Sequence, residues 1–195
     1  ATAMDAFSHS PEAYTCKAAN VMMEPLALSS MEMIVKHLPA AMKAPGDLDE
    51  LEQLLIASCM AGQAFTQVGL HLGHAIAHGV GVYGHVHHGT ACALVLPYAL
   101  SSVSEAIPDR IAKIGEILGA KIPAQATPRE IGLIVSDALQ LFNRSIGIKR
   151  LSDYGVTEEQ LDSMAEYAVH EGGTQGNSFR PSPKAEVVDY LRSIL

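Results

Sequence analysis

An all-α domain of about seven or eight helices, covering residues 1–195, is the fold that the sequence predicts. Apolar and small residues recur at steps of three and four along most of the chain, and several helix starts carry capping residues. The one short run with strand character, residues 80–83, is interrupted by glycine. No linker or repeat divides the chain. We therefore expect a single helical bundle.

Composition fits a compact protein and argues against a nucleic acid partner. Of the 195 residues, 48% are hydrophobic and 17% are charged, and the formal net charge is −8. The lysines and arginines are scattered. Because no basic stripe is available to neutralise phosphates, no nucleic acid partner is expected.

The cysteines and the apolar stretches bear on location. Cys16, Cys59 and Cys92 stand far apart without CxxC spacing, which predicts reduced thiols and a cytoplasmic protein. No stretch reaches the roughly 18 apolar residues of a membrane helix, so no membrane partner is expected. The first residues have neither the basic nor the apolar region of a secretory signal.

Near the start of the chain, Asp5 and His9 are four residues apart. On a helix this spacing places them one turn apart on one face, which is a common way to present two metal ligands, although it also arises by chance. Pro11 removes a backbone donor and presses on the carbonyl of Phe7. We therefore expect this helix to kink or to end near Pro11.

Recognisable residues bound the later helices. Three helix starts have an oxygen-bearing cap followed three residues later by Glu or Gln, namely Asp47 with Glu50, Thr127 with Glu130, and Thr157 with Gln160. The first of these helices is predicted to run to about residue 72, and a last helix opens at Ser182 and Pro183. Loops are predicted at Pro123, Gly147, Gly155 and residues 172–176.

Six of the nine histidines fall within eighteen residues: His71, His74, His78, His85, His87 and His88. His74 and His78 are four residues apart with only apolar residues between them, so a helix places both on one buried face. Unpaired imidazoles there would carry a desolvation cost. Either each ring has a hydrogen-bond partner or some of the rings bind a metal, and clustering alone leaves both interpretations open.

Residues 79–84 match the dinucleotide-binding pattern GxGxxG letter for letter. That pattern binds a pyrophosphate only between a strand and a helix. Here a helical pattern precedes the glycines and a histidine-rich segment follows them. We interpret the glycines as a helix break that turns the chain back and brings His88 near His74.

Four segments, in order, resemble the iron-containing (group III) alcohol dehydrogenases. They are residues 4–9 with 12–14, the pair His74 and His78 followed after nine residues by HGTACALVLP at 88–97, RLSDYGV at 150–156, and NSFRP at 177–181. The resemblance covers the whole chain and implies the helical C-terminal domain of that family. The family's N-terminal α/β domain, which binds NAD(P), has no counterpart in residues 1–195. We therefore expect this chain alone neither to bind NAD(P) well nor to transfer hydride.

The resemblance also implies the site residues. In that family one aspartate and three histidines hold the metal, and the matching residues are Asp5, His9, His74 and His88. His78 matches a histidine that helps proton transfer beside the substrate and the nicotinamide. The implied activity is oxidation of a small alcohol, or reduction of an aldehyde or ketone, with the metal polarising the oxygen.

Three positions depart from the family pattern. Gly79, His87 and Cys92 stand where proline, proline and asparagine are usual. His85 and His87 are therefore alternatives to His88 as ligands.

The identity of the metal and the class of function stay open. The resemblance implies Fe(II), and zinc also suits a mixed carboxylate and imidazole set. One alternative function is a helical metallohydrolase with Glu12 as the base, and another is a non-catalytic helical metal-binding domain. Association into a homo-oligomer is left open.

Overall fold

The computed structural model describes all 195 residues and contains no strand. Ten α-helices follow one another, with one 3₁₀ turn after the seventh: α1 (Thr2–Thr15), α2 (Glu24–Lys43), α3 (Leu48–Val68), α4 (Leu72–Gly84), α5 (His88–Val103), α6 (Pro108–Ile117), α7 (Pro128–Ser145), the turn (Leu151–Tyr154), α8 (Glu158–His170), α9 (Gly172–Asn177) and α10 (Lys184–Ser193). The predicted all-α class is confirmed, and the number of helices is slightly higher than predicted.

One additional helix is α9, which lies where the sequence predicted a loop. Its glycine content disfavours a helix, but side chains around it hold the segment in place. The Thr174 hydroxyl donates to Glu171, and the Gln175 amide donates to the carbonyl of Ala168 at 3.0 Å. The loop prediction for residues 172–176 is therefore wrong, because these contacts outweigh the local preference.

The capping residues behave as their spacing predicts. The Asp47 side chain accepts from the backbone of Asp49 and Glu50, and Thr127 and Glu130 form a reciprocal capping box. The helix that Asp47 opens ends at Val68, earlier than the predicted end near residue 72. The Asn177 amide donates to the carbonyls of Val68 and Leu70, so a contact with the distant α9 holds the chain as it leaves α3.

Helix α1 continues through Pro11 to Thr15, so the prediction that it ends near the proline is wrong. Almost every residue from Met4 to Thr15 is buried. This burial offsets the loss of one backbone donor at Pro11. Asp5 and His9 consequently lie on one continuous helix.

The glycine-rich segment 79–84 is the second half of α4 and not a helix break. A side chain at Gly79 would place its Cβ 2.3 Å from the carbonyl oxygen of Met164. A glycine at this position therefore lets α8 pack directly against α4. The turn comes afterwards, where His85 adopts a left-handed conformation with φ 54°, and it still brings His88 near His74. No strand precedes the glycines, so they do not form a dinucleotide-binding turn.

Two apolar cores share helix α5. Ala93, Leu96 and Leu100 of α5 belong to one core, together with buried residues of α1, α2, α3, α6 and α7. Ala91 and Val95 of α5 belong to the other core, together with buried residues of α4, α8 and α10. The start of α5 therefore lies where α1 and α4 meet, and this junction positions the histidines. None of the helices is both long enough and apolar enough to cross a membrane.

Candidate metal centre

Ligand atoms from three helices converge at this junction. They are Oδ1 of Asp5 on α1, Nε2 of His74 on α4, and Nε2 of His88 and Sγ of Cys92 on α5, and these atoms all lie within 4.8 Å of one another. Oδ1 of Asp5 is 3.2 Å from Nε2 of His88 and 3.8 Å from Nε2 of His74. Ligands on a tetrahedral zinc ion, at its usual bond lengths, are roughly 3.3–3.8 Å apart. The spacing and the atom types therefore fit one divalent ion.

His9 lies at the edge of this cluster. Its Nε2 is 3.7 Å from Oδ1 of Asp5, and its ring stacks between Phe65 and His74, with centroid distances of 4.2 and 5.0 Å. Burial, followed by the nearby charge of His74, lowers the pKa of His9 to about 4. The ring is therefore neutral near pH 7 and has a lone pair to donate. His9 is not among the mutually close ligand atoms, and its assignment as a ligand stays a prediction.

Glu12 fixes the orientation of the His74 ring through a contact with its Nδ1. The Glu12 carboxylate is 1% exposed, and its Oε1 lies 3.1 Å from Nδ1 of His74 while Oε2 accepts from the backbone of His71 at 2.7 Å. Burial alone would raise the pKa of Glu12, but the charges of His74 and His71 hold it well below its usual value. A carboxylate on Nδ1 leaves Nε2 directed at the cluster, as in carboxylate–histidine–metal arrangements.

His78, the predicted proton-transfer residue, lies at the open side of the cluster. Its side chain is 38% exposed and its ring stacks on His88 at a centroid distance of 5.4 Å. Nδ1 of His78 is 2.5 Å from Oε1 of Glu171, just before α9. This contact leaves Nε2 of His78 without a protein partner in the open region.

The alternative ligands His85 and His87 are not brought into the cluster. Both side chains are exposed, His85 at the end of α4 and His87 just before α5. The sixth histidine, His71, is buried, and its Nε2 lies 2.9 Å from the hydroxyl of Thr15. One ring nitrogen of His71 thus has a hydrogen-bond partner, while its buried Nδ1 has none. His74 and His88 instead direct Nε2 at other possible ligand atoms.

The charges at the junction favour an ionised Asp5. Burial acts to raise the pKa of Asp5, but the hydrogen bond with His74 and the charges of the neighbouring histidines hold it below its ordinary value. Burial raises the pKa of Cys92 and lowers that of His88. Without an ion the thiol is protonated and His88 is neutral near pH 7.

Sequence reasoning missed Cys92 as a member of the cluster and Glu12 and Glu171 as partners of histidines. Two of these positions carried a local signal. Cys92 follows His88 by four residues on α5, and Glu12 continues the stripe of Asp5 and His9 on α1. Glu171 carried none, because its contact with His78 spans 93 residues.

The fold and this cluster define a helical domain with a candidate metal site. The family model described as "Fe-containing alcohol dehydrogenase family, C-terminal" matches residues 1–195. The chain belongs to this family, which confirms the resemblance seen in the sequence.

Curated relatives and solved structures agree with this membership. The chain is 34% identical to the probable alcohol dehydrogenase EutG of Salmonella typhimurium, over 96% of this chain and 46% of that protein. It is 33% identical to the NAD-dependent methanol dehydrogenase of Bacillus methanolicus, over 100% of this chain and 50% of that protein. The structure superposes on a 1,3-propanediol oxidoreductase with a TM-score of 0.86 at 31% identity, covering all of this chain and 50% of that one. The chain thus spans about half the length of the curated relatives it matches.

Proposed function

We propose that this chain is the metal-holding part of an NAD(P)-dependent alcohol dehydrogenase. The convergence of Asp5, His74 and His88 on one point carries this proposal, in a chain that belongs to the iron-containing family. Similar proteins are named as dehydrogenases of methanol and of 1,3-propanediol. A small alcohol, or the corresponding aldehyde, is the proposed substrate.

Asp5, His74 and His88 would hold a divalent ion, with His9 as the further ligand that the resemblance implies. When bound, such an ion supplies Lewis acidity, which polarises an alcohol or carbonyl oxygen and makes an alcohol proton easier to remove. The family name favours Fe(II), and zinc binds mixed donor sets of this kind with higher affinity.

The chain's own residues would position the metal ligands and move the proton. Glu12 holds Nδ1 of His74, so this ring keeps its Nε2 toward the cluster. Glu171 holds Nδ1 of His78 in the same way, and Nε2 of His78 is then free to accept the proton released from the substrate hydroxyl. His78 is exposed enough to pass that proton on to water.

NAD(P), when bound, supplies the hydride acceptor, and we propose that it is held outside residues 1–195. These residues contain no strand and hence no strand–turn–helix site for a dinucleotide. The cytoplasmic location and a homo-oligomer stay predictions, although all three cysteines are unpaired as the sequence predicted.

The metallohydrolase alternative would need a carboxylate base that can reach a water molecule. Glu12, the residue considered for that role, is 1% exposed and engaged by His71 and His74. Its position therefore favours the dehydrogenase over the hydrolase.

The test compares adjacent histidines in the protein expressed from its complete reading frame. NAD(P)-linked oxidation of methanol and 1,3-propanediol is followed together with metal content. We expect His88→Ala to lower kcat/KM at least about a hundredfold, because a bound metal contributes several kcal/mol. His87→Ala, at an exposed neighbour, should leave both readouts unchanged. Hydrolysis without nucleotide, or stoichiometric metal without alcohol oxidation, would overturn the proposal.

A further inference from the structure

A cavity of about 460 Å³ lies between α5, the end of α7, the 3₁₀ turn and α10. None of its eleven lining residues is a candidate metal ligand. Three of them are cations, namely Arg144, Lys149 and Arg150, and Asp153 is the one carboxylate. Although the whole chain has a formal net charge of −8, this cavity therefore has a local excess of two positive charges.

The end of α7 brings the three cations together. Gly147 has a φ of 80°, a left-handed conformation that glycine adopts without steric cost. Its N–H donates to the carbonyl of Arg144 at 3.1 Å, and the N–H of Ile148 donates to the carbonyl of Asn143 at 3.0 Å. This pair of hydrogen bonds is a Schellman motif, which ends the helix and reverses the chain. The two cations that follow the turn therefore line the same cavity as Arg144.

The cations of the cavity lack acidic partners. Neither Arg144 nor Lys149 forms an ion pair or a side-chain hydrogen bond, and the Arg150 guanidinium donates only to the carbonyl of Ser193, at 3.3 Å. Asp153 is within salt-bridge distance of none of them, and its Oδ2 accepts from the backbone of Arg150. Other arginines of the chain pair with glutamates, namely Arg110, Arg180 and Arg192. The guanidinium and ammonium groups at the cavity are thus left with unused donors.

The wall of the cavity also contains a buried acceptor that has no donor. Pro97 has no N–H for the carbonyl of Ala93 one turn earlier in α5, and Nδ2 of Asn143 donates to this carbonyl at 2.6 Å. That hydrogen bond fixes the orientation of the amide. Asn143 is 5% exposed, and its Oδ1 has no partner. Because an unpaired buried acceptor costs free energy, a donor is missing at this wall.

We propose that this cavity binds a small phosphate monoester that carries hydroxyl groups, at a site separate from the metal and the alcohol of the proposed function. A phosphate monoester has a charge of about −1.5 to −2 at pH 7, which matches the local excess of positive charge. Arginine binds phosphate oxygens in a bidentate manner. A ligand hydroxyl supplies the donor that Oδ1 of Asn143 lacks, and Leu94 and Ile148 provide an apolar surface for the carbon chain.

Three other cavities of similar volume lack this combination. Two of them, of about 480 and 400 Å³, are lined by no lysine or arginine. The third, of about 430 Å³, contains Lys184, which pairs with Asp162 and Glu166. A monocarboxylate would leave one positive charge of the proposed site unneutralised, so a dianion is favoured. The volume of about 460 Å³ lies within the range of roughly 300–1,000 Å³ that is usual for sites of small ligands.

Isothermal titration with glycerol 3-phosphate tests this site in the protein expressed from its complete reading frame. Saturating NAD⁺ is present, so that the phosphate does not bind at the dinucleotide site. We expect the double variant Arg144→Gln, Lys149→Gln to bind at least about tenfold more weakly, because charged hydrogen bonds are lost. Arg129→Gln removes an unpaired, exposed cation at the other end of α7 and should leave the affinity unchanged. Affinity should also fall with added salt, since the cations are exposed.

Further ligands and one further variant separate the alternatives. Glycerol should not bind, and inorganic phosphate should bind more weakly than the ester. Equal affinity for inorganic phosphate, or tighter binding of succinate, overturns the assignment to a phosphate monoester. Full affinity in the double variant, or its loss in His88→Ala, places the phosphate elsewhere and overturns the cavity assignment. Alcohol oxidation and metal content are unaffected by these outcomes, so failure of this proposal is distinguished from failure of the proposed function.

Discussion

Oε1 of Glu12 lies 3.1 Å from Nδ1 of His74, and this contact joins two buried side chains that are 62 residues apart in sequence. It ties α1, which carries Asp5, to α4, which carries His74. The same carboxylate also accepts from the backbone of His71 at the start of α4. A buried ion pair therefore helps to set the separation between Asp5 and His74, the first two candidate ligands.

Replacing Glu12 tests this positioning role. In Glu12→Gln we expect metal affinity to fall about 10–100-fold, as for other partners that orient a ligating histidine. The free energy of unfolding should fall by about 1.5–3 kcal/mol, because charged hydrogen bonds are lost. Metal affinity is measured by isothermal titration and stability by urea unfolding.

Glu50→Gln is the matched control for this change. Glu50 also accepts a histidine Nδ1, that of His37 at 2.7 Å, but the pair is partly exposed and remote from the cluster. It should leave metal affinity unchanged and alter stability by less than about 1 kcal/mol. Equal metal affinity in Glu12→Gln and in the unchanged chain would show that Glu12 does not orient His74.

Gly73 provides a steric test of the same contact. A Cβ at Gly73 would lie 2.0 Å from Oε1 of Glu12, so Gly73→Ala must displace the carboxylate. We expect a loss of about 1–3 kcal/mol in unfolding free energy together with weaker metal binding. Gly62→Ala is the control, since a Cβ there meets nothing within 4 Å. It should stabilise α3 by about 0.5–1 kcal/mol, and a similar gain in Gly73→Ala would contradict the close packing.

Local signals predicted the class of fold more readily than the exact elements. The caps at Asp47 and Thr127 depend on the chain within three residues, and both form as their spacing indicates. The glycines from Gly79 onward were misinterpreted as a helix break, whereas Gly79 lies within the helix and admits the backbone of Met164 from α8. That contact spans two distant helices, and nothing in the local sequence encodes it.

The same distinction, between local signals and contacts of distant helices, applies to the candidate metal centre. Family resemblance selected Asp5, His74 and His88, which the structure brings together, although their role as ligands is still to be measured. Cys92 and Glu171 depend on how α5 meets α1 and how the segment before α9 meets α4. Spacing within one helix places a side chain on a face, but only tertiary packing decides what that face meets.

Metal removal should lower stability, because the cluster joins α1, α4 and α5 at a single point. An ion at a hundred times its dissociation constant stabilises the folded state by about 2.7 kcal/mol. For a chain of this size each kcal/mol corresponds to about 2–4 °C in Tm. We expect a chelator to lower Tm accordingly and zinc to restore it, as followed by circular dichroism. Asp5→Asn should show a much smaller response to zinc, and an equal response would place the ion elsewhere.

His78 and Glu171 should affect catalysis without affecting metal content. We expect His78→Asn, in the protein from the complete reading frame, to lower kcat about 10²–10⁴-fold, the usual contribution of a positioned acid–base group. Glu171→Gln should lower kcat less, about 10–100-fold, because Glu171 acts only through Nδ1 of His78. His170→Gln changes an exposed neighbouring ring and should leave kcat unchanged. Metal analysis accompanies each kinetic measurement, so that loss of the ion is separated from loss of proton transfer. Full kcat in His78→Asn with metal retained would exclude this ring from the proton path, whereas metal loss would make it a ligand.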